Sequence, residues 1–254
     1  MLDLLHVDCY EALPHILSLA KIRPVALISD PPYGINYRST HSSAPNNWFQ
    51  RYTDFDPIVG DDEPFDPTCW LDLAFPWIVL WGANHYMSQM PSTKCILTWD
   101  KLAGKTPCDS SDTELAYTNL DKPCRTFTHL WRGLIRAGEA NGSRSHKLHG
   151  NQKPVELMMW VLRMCNLPRG TLIVDPFAGS GPIGQAAIRY GFDYLGIEKD
   201  AKHFTTLQSV INKELKQPHL TDPYETYQNA IAADRKPAAK EPAEPKTAIQ
   251  QTLF

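Results

Sequence analysis

The sequence predicts an α/β domain, a doubly wound and mainly parallel sheet, on three observations. Compact apolar runs rich in β-branched residues recur along the chain, helical patterns separate several of them, and two of the runs end in Asp-Pro. Strands alternating with helices give a parallel sheet covered on both faces. At 254 residues and 43% hydrophobic, the chain can bury a full core for one main domain. No internal repeat is visible.

Taken in order, Pro24–Ser29 (PVALIS), Trp77–Trp81 (WIVLW) and Cys95–Trp99 (CILTW) read as strands. Pro154–Asn166 opens with proline at a first helical position and continues as a mostly buried helix. Thr171–Val174 (TLIV) is the next strand, Pro182–Tyr190 a helix stopped by Gly191, Asp193–Ile197 (DYLGI) a strand and Phe204–Leu215 a helix. The main domain is therefore expected over 1–216. Beyond it Pro218 and Pro223 interrupt the pattern, and 232–248 has no aromatic or β-branched apolar residue, so 217–249 is expected to be a disordered linker. Residues 250–254 form an apolar tip.

No apolar run approaches the roughly 20 residues of a membrane span, and no basic leader precedes an apolar stretch. Six scattered cysteines without a CxxC pair read as reduced thiols rather than a disulfide or zinc framework. A cytoplasmic protein with no metal site and no membrane partner is expected. The net charge of −3 does not announce a nucleic-acid partner, but its distribution is uneven. Between Arg51 and Lys94 all the charges are acidic, whereas Asp121 to Val155 holds seven basic residues against two acidic ones. That segment is suited to neutralising phosphates, and equally to forming a solvated basic surface.

Two motifs carry chemistry. Asp30-Pro31-Pro32-Tyr33 follows a strand, where open α/β sheets place their ligand crevice. The prolines stiffen the backbone and remove donors, leaving carbonyls free to accept. Asp30 and the Pro31 carbonyl would give two acceptors for an amino group with two N–H donors, and Tyr33 a face for a flat ring. Asp175-Pro176-Phe177-Ala178-Gly179-Ser180-Gly181 lies between a strand and a helix, and its glycines let backbone approach a ligand closely. It lacks the lysine of a phosphate loop and the G-x-G-x-x-G spacing. Glu198, about 20 residues on, ends the next strand, where a carboxylate can hold ribose hydroxyls. Phosphate-free adenosine with a charged tail fits better than a nucleotide.

The pair DPPY and DPFAGSG resembles the S-adenosylmethionine-dependent amino-methyltransferases that modify adenine N6 or cytosine N4 in DNA. The order, DPPY first and cofactor loop late, is that of the circularly permuted β group, which has a Rossmann-like fold. Asp8-Cys9 before Glu11-Ala12-Leu13 is similar to the family's opening, and His149 to Pro154 (HGNQKP) to its HPTQKP segment. Trp81 to Tyr86 with Trp99-Asp100-Lys101 looks like the phage-encoded branch, so the host would be bacterial. Gly150, Asn151 and Pro182 depart from the family pattern without removing a catalytic group.

The resemblance implies S-adenosyl-L-methionine held by Asp8, Cys9, Lys153, Phe177, Ala178, Gly179, Ser180, Gly181 and Glu198, with Asp175 facing the methionine portion. Asp30, Pro31, Pro32 and Tyr33 would receive a base flipped out of double-stranded DNA. An aspartate opening the tetrapeptide favours adenine; cytosine N4 is the alternative, and a non-catalytic DNA-binding module or an RNA or protein methyltransferase are further rivals.

Target recognition is expected between 101 and 148, with Arg125, Arg132, Arg136 and Arg144 on phosphates or guanine edges. Residues 37–60 read as a loop over the site, with Trp48 more readily a packing residue than a base-flipping one. The terminal Gln250-Gln251-Thr252-Leu253-Phe254 resembles the Q-x-x-L-F peptides that dock into the bacterial sliding clamp, with Gln250, Leu253 and Phe254 as anchors; a frayed terminus is the other reading. A homodimer is compatible with the sequence.

Overall fold

A computed structural model of the chain describes residues 1–36, 59–106, 111–132, 135–136, 152–218 and 221–235. Its strands are β1 (Leu2–Leu5), β2 (Val25–Ser29), β3 (Trp77–Trp81), β4 (Ile96–Asp100), β5 (Thr113–Thr118), β6 (Arg125–Thr128), the short β7 (Trp131–Arg132) and β8 (Ile135–Arg136), β9 (Leu172–Asp175) and β10 (Asp193–Ile197). Helices are α1 (Leu13–Ala20), α2 (Thr68–Leu71), α3 (Val155–Cys165), α4 (Pro182–Arg189), α5 (Ala201–Leu215) and α6 (Pro223–Asp234). Eight strands form one sheet in the order β1-β10-β9-β2-β3-β5-β4-β6. All neighbours run parallel except at β5, which is antiparallel to β3 and to β4. This is the expected doubly wound, mainly parallel sheet, with the Rossmann-like arrangement.

Alternation along the strands divides the core. Ala26 and Ile28 of β2, Val79 and Trp81 of β3 and Tyr194 of β10 face a layer built from α3, α4, α5 and α6. Val25, Leu27, Ile78, Leu80, Leu195 and Ile197 face the other way, against Ile16 of α1 and Trp70 of α2. The central strands are apolar on both faces because both are covered, which is why they read as continuous runs rather than as alternation.

Four elements differ from the sequence reading. The strand Leu2–Leu5 and helix Leu13–Ala20 were not expected: LDLL is short, and Pro14 sits in a first turn it tolerates. The described part of 101–148 is not a separate insertion. Within it β5 and β6 complete the main sheet, and Ala116, Tyr117 and Thr118 are buried. The linker over 217–249 is corrected for its first part, where 223–234 forms α6. There Pro223 starts the helix instead of breaking it, and the Asp222 side chain caps it by accepting from the Tyr224 N–H at 2.8 Å. Tyr227 and Ile231 enter the core, and the Tyr227 hydroxyl accepts from Leu167 N–H at 2.6 Å and donates to the Leu162 carbonyl at 2.9 Å. Arg163 and Asp234 join α3 to the end of α6 at 2.6 Å. Burying a side chain of this size contributes roughly 1.5–3 kcal/mol, so α6 belongs to the domain.

Candidate active site

Strands β2 and β9 are neighbours, but the chain leaves them in opposite directions, from β2 towards β3 and from β9 through α4 to β10. Such a reversal opens a crevice at the carboxyl ends of the strands. There a cavity of about 470 Å³ is lined by both motifs, Asp30 to Tyr33 from one side and Asp175 to Ser180 from the other. Asp8, Cys9, Lys153 and Glu198 line the same space. Apart from Gly181, the sequence-predicted residues of both motifs therefore meet in one cavity.

Asp30 sits in a row of charges. Its Oδ1 accepts from the Tyr33 hydroxyl at 2.7 Å, and its Oδ2 accepts from Lys153 Nζ. Lys153 also donates to the Tyr33 hydroxyl at 2.8 Å and lies 3.2 Å from Oε2 of Glu114, whose Oε1 meets Lys101 at 3.0 Å. Burial pushes the Asp30 carboxyl above its usual range, with Lys153 opposing and Glu114 adding to the rise. Burial also works against the Lys153 cation, but Asp30 and Glu114 outweigh it and hold the ammonium above its ordinary value. Glu114 is held at about 2, because Lys153 and Lys101 overcome its burial. An ammonium has three donors, and all three of Lys153's are committed here. Lys153 lines the cavity as expected, with its charge turned to Asp30 and Glu114.

On the other wall, Asp175 lines the cavity and is itself buried. Ser29 donates to it at 2.5 Å and Tyr194 at 3.1 Å, while the Phe177 N–H lies 3.4 Å away. Burial pushes its carboxyl up to about 7. Its contacts tie the loop to β2 and β10. The Phe177 ring anchors the loop edge-on against Phe65 and Trp70. Gly179 donates to Glu198 at 2.9 Å, and an added Cβ there would meet nothing closer than the Phe177 carbonyl at 4.0 Å. Gly181 is different. It does not line the cavity, and a Cβ on it would come within 2.7 Å of Leu207. Its smallness serves packing against Leu207 of α5. Asp8 pairs with Lys199 at 2.9 Å, which lowers its pKa. Burial and the Asp8 charge push the Cys9 thiol up to about 12, so it stays protonated.

Four contributors, Asp61, Gly82, His85 and Glu114, were given no role in the site by the sequence. The buried Asp61 accepts from the backbone N–H groups of Tyr33, Gly34 and Ile35 at 3.0, 2.9 and 3.4 Å, fixing the turn after the tetrapeptide. Gly82 lies against the Tyr33 ring, leaving no room for a side chain, and His85 stacks on that ring at 5.0 Å. Glu114 is the fourth; in the sequence it is one acid in TELAYT, with no spacing to mark it.

Arg125 is exposed on β6, and Arg132 and Arg136 lie on the β7–β8 ribbon. Arg144, Trp48 and Gln250, Leu253 and Phe254 fall outside the described residues. Among the described residues no cluster of metal-ligating side chains occurs, no helix is long and apolar enough to cross a membrane, and Cys9, Cys69, Cys95, Cys124 and Cys165 are free thiols.

Residues 93–209 match the family model described as DNA methylase, the N6 and N4 methyltransferases. The chain is 30% identical over 153 residues to Type II methyltransferase M.HinfI of Haemophilus influenzae, a match covering 56% of this chain and 42% of that protein. It thus spans about two fifths of that relative's length. Among solved structures, the M1.HpyAVI–SAM complex is similar over 82% of this chain and 99% of its own, at 20% identity and a TM-score of 0.47. The PvuII cytosine-N4-specific DNA methyltransferase is similar over 85% and 90%, at 14% identity and 0.45. The matched segment contains Glu114, Lys153, the Asp175–Gly181 loop and Glu198, so the similarity to the N6 and N4 DNA methylases takes in one wall of the cavity.

Proposed function

We propose that the protein transfers a methyl group from S-adenosyl-L-methionine to the exocyclic amino nitrogen of adenine in double-stranded DNA. The observation that carries this reading is the meeting of Asp30 and the open backbone of Gly179 in one cavity of about 470 Å³. The residues present fit the cofactor. Carboxylates of Asp8 and Glu198 face the cavity to accept from amino and hydroxyl groups, and Gly179 leaves space where a side chain would intrude. When bound, the cofactor supplies an electrophilic methyl.

The chain's own groups address the nucleophile. The amino nitrogen of adenine is weak because its lone pair is delocalised into the ring. Asp30 and the Pro31 carbonyl accept its two N–H bonds, draw the nitrogen towards a tetrahedral shape and aim the lone pair along the transfer line, and Asp30 takes up the proton that the methylated nitrogen then sheds. Oδ1 of Asp30 is the position the Tyr33 phenol holds in the free protein, so the amino group replaces that phenol as donor. Tyr33 then offers its ring to the flipped base. Positioning and fixed charge supply the rate, and no covalent enzyme intermediate is required. Arg125, Arg132, Arg136 and Arg144 contact the DNA, and the terminal peptide 250–254 docks on a sliding clamp, to be checked by loss of clamp binding on its deletion.

The test is transfer of labelled methyl to duplex DNA, followed by digestion to nucleosides. Label in N6-methyladenine supports the proposal. Label in N4-methylcytosine replaces adenine with cytosine, and absence of label from DNA rejects the reaction.

A further inference from the structure

We infer that Glu114 and Lys153 are positioning residues for Asp30, sharing one ammonium between two carboxylates so that Asp30 stays ionised without being neutralised. This rests on the methyl-transfer reading above. Lys101, Glu114, Lys153 and Asp30 form a row of alternating charge from the end of β4 into the cavity. Glu114 itself does not line the cavity, so it reaches the reaction only through Lys153. Lys153 is 3% exposed and has Trp81 and Tyr33 rings beside it at 5.7 and 5.4 Å. A buried ion pair is a poor device for stabilising a fold, since desolvation offsets most of its attraction. It is well suited to fixing a charge.

The physical need is specific. A carboxylate alone in a partly apolar cavity takes up a proton, and a protonated Asp30 has lost half of its accepting capacity. A lysine serving Asp30 alone would hold it in a full ion pair, competing with the substrate amino group for the same oxygens. Glu114 draws on the same ammonium at 3.2 Å and relieves that competition. The groups facing Asp30 are Lys153 before α3, Glu114 on β5, Tyr33 on its own loop, Asp175 on β9 and Tyr86 after β3, with His85 stacked on Tyr33. Glu114 and Lys153 oppose each other in charge, so removing each must move Asp30 in opposite directions.

The test is carboxyl ¹³C NMR titration of the full chain, with the Asp30 signal assigned by its loss in Asp30→Asn, beside methyl-transfer kinetics. Glu114→Gln keeps the shape and removes the charge; it should lower the Asp30 midpoint by at least about half a pH unit, move the acid limb of kcat the same way and cut kcat roughly tenfold, with KM for the cofactor within about twofold. Lys153→Met should raise the midpoint. If Lys153→Met fails to fold, Lys101→Met replaces it: Glu114, freed from its other lysine, draws Lys153 away and the midpoint again rises. A merely structural role would change melting temperature and leave the midpoint and limb where they are. Midpoints unmoved, or moved the same way in Glu114→Gln and the lysine variant, would overturn the inference. A wild-type chain that methylates no DNA would overturn the underlying reading instead, while the titration still decides the coupling.

Discussion

The Ser29 hydroxyl donates to the Asp175 carboxylate at 2.5 Å across the junction of β2 and β9. It joins the last residue before the Asp30 tetrapeptide to the first residue of the glycine-rich loop. The same oxygen lies 3.3 Å from the Phe177 N–H, so one serine serves both walls of the cavity.

Ser29→Ala should therefore loosen the two motifs relative to each other. A buried acceptor losing a donor costs about 1–3 kcal/mol. Thermal unfolding should show that loss, and KM for the cofactor should rise severalfold while the sheet stays intact by circular dichroism.

Asp175 also sets a pH dependence of stability. Its carboxyl is raised to about 7 in the fold, from 3.8 when exposed. Between those values the folded chain binds more protons than the unfolded one, so this group's contribution falls as pH rises through that window and levels off above about 7. Melting temperature measured from pH 5 to 8 should decline more in the wild type than in Asp175→Asn, where the titrating group is gone.

Gly82→Ala should disable the site. A Cβ there would sit 2.0 Å from the Tyr33 ring, and φ is +76°. The ring must shift, taking its hydroxyl from Asp30, and kcat should fall at least about tenfold. Gly104→Ala is the control. Its φ is +79° but nothing lies within 4 Å, so it should cost about 1 kcal/mol of backbone strain with kcat unchanged.

Tyr227→Ala, far from the cavity, should destabilise the domain by about 3–5 kcal/mol without changing KM. Chemical denaturation reads this directly. A wild-type midpoint would mean that α6 is an appendage after all.

How much was legible beforehand follows from the kind of signal each residue gives. The central strands announced themselves because burial on both faces leaves an unbroken apolar run, as in WIVLW and DYLGI. Both motifs were visible because a strand end followed by proline or glycine is marked in composition. The edge strand β1 is too short for such a signal, and Pro223 reads alike as a breaker and as a helix start. Glu114, Asp61 and Gly82 act through partners distant in sequence, at 39, 28 and 49 residues for the contacts with Lys153, Tyr33 and Tyr33 respectively. Only the folded sheet brings them together. Lys153 and its partners Asp30 and Tyr33 were found from the sequence, whereas Glu114, the partner that shares its ammonium, was not.

On the proposed reading, Asp30 is the acceptor that makes an amino nitrogen nucleophilic. Single-turnover transfer to adenine-containing duplex DNA by Asp30→Asn, set against cofactor binding by calorimetry, tests it most directly. Binding should stay within a fewfold of wild type while the transfer rate falls by about 100-fold or more. Transfer at close to the wild-type rate with the carboxylate gone would contradict it.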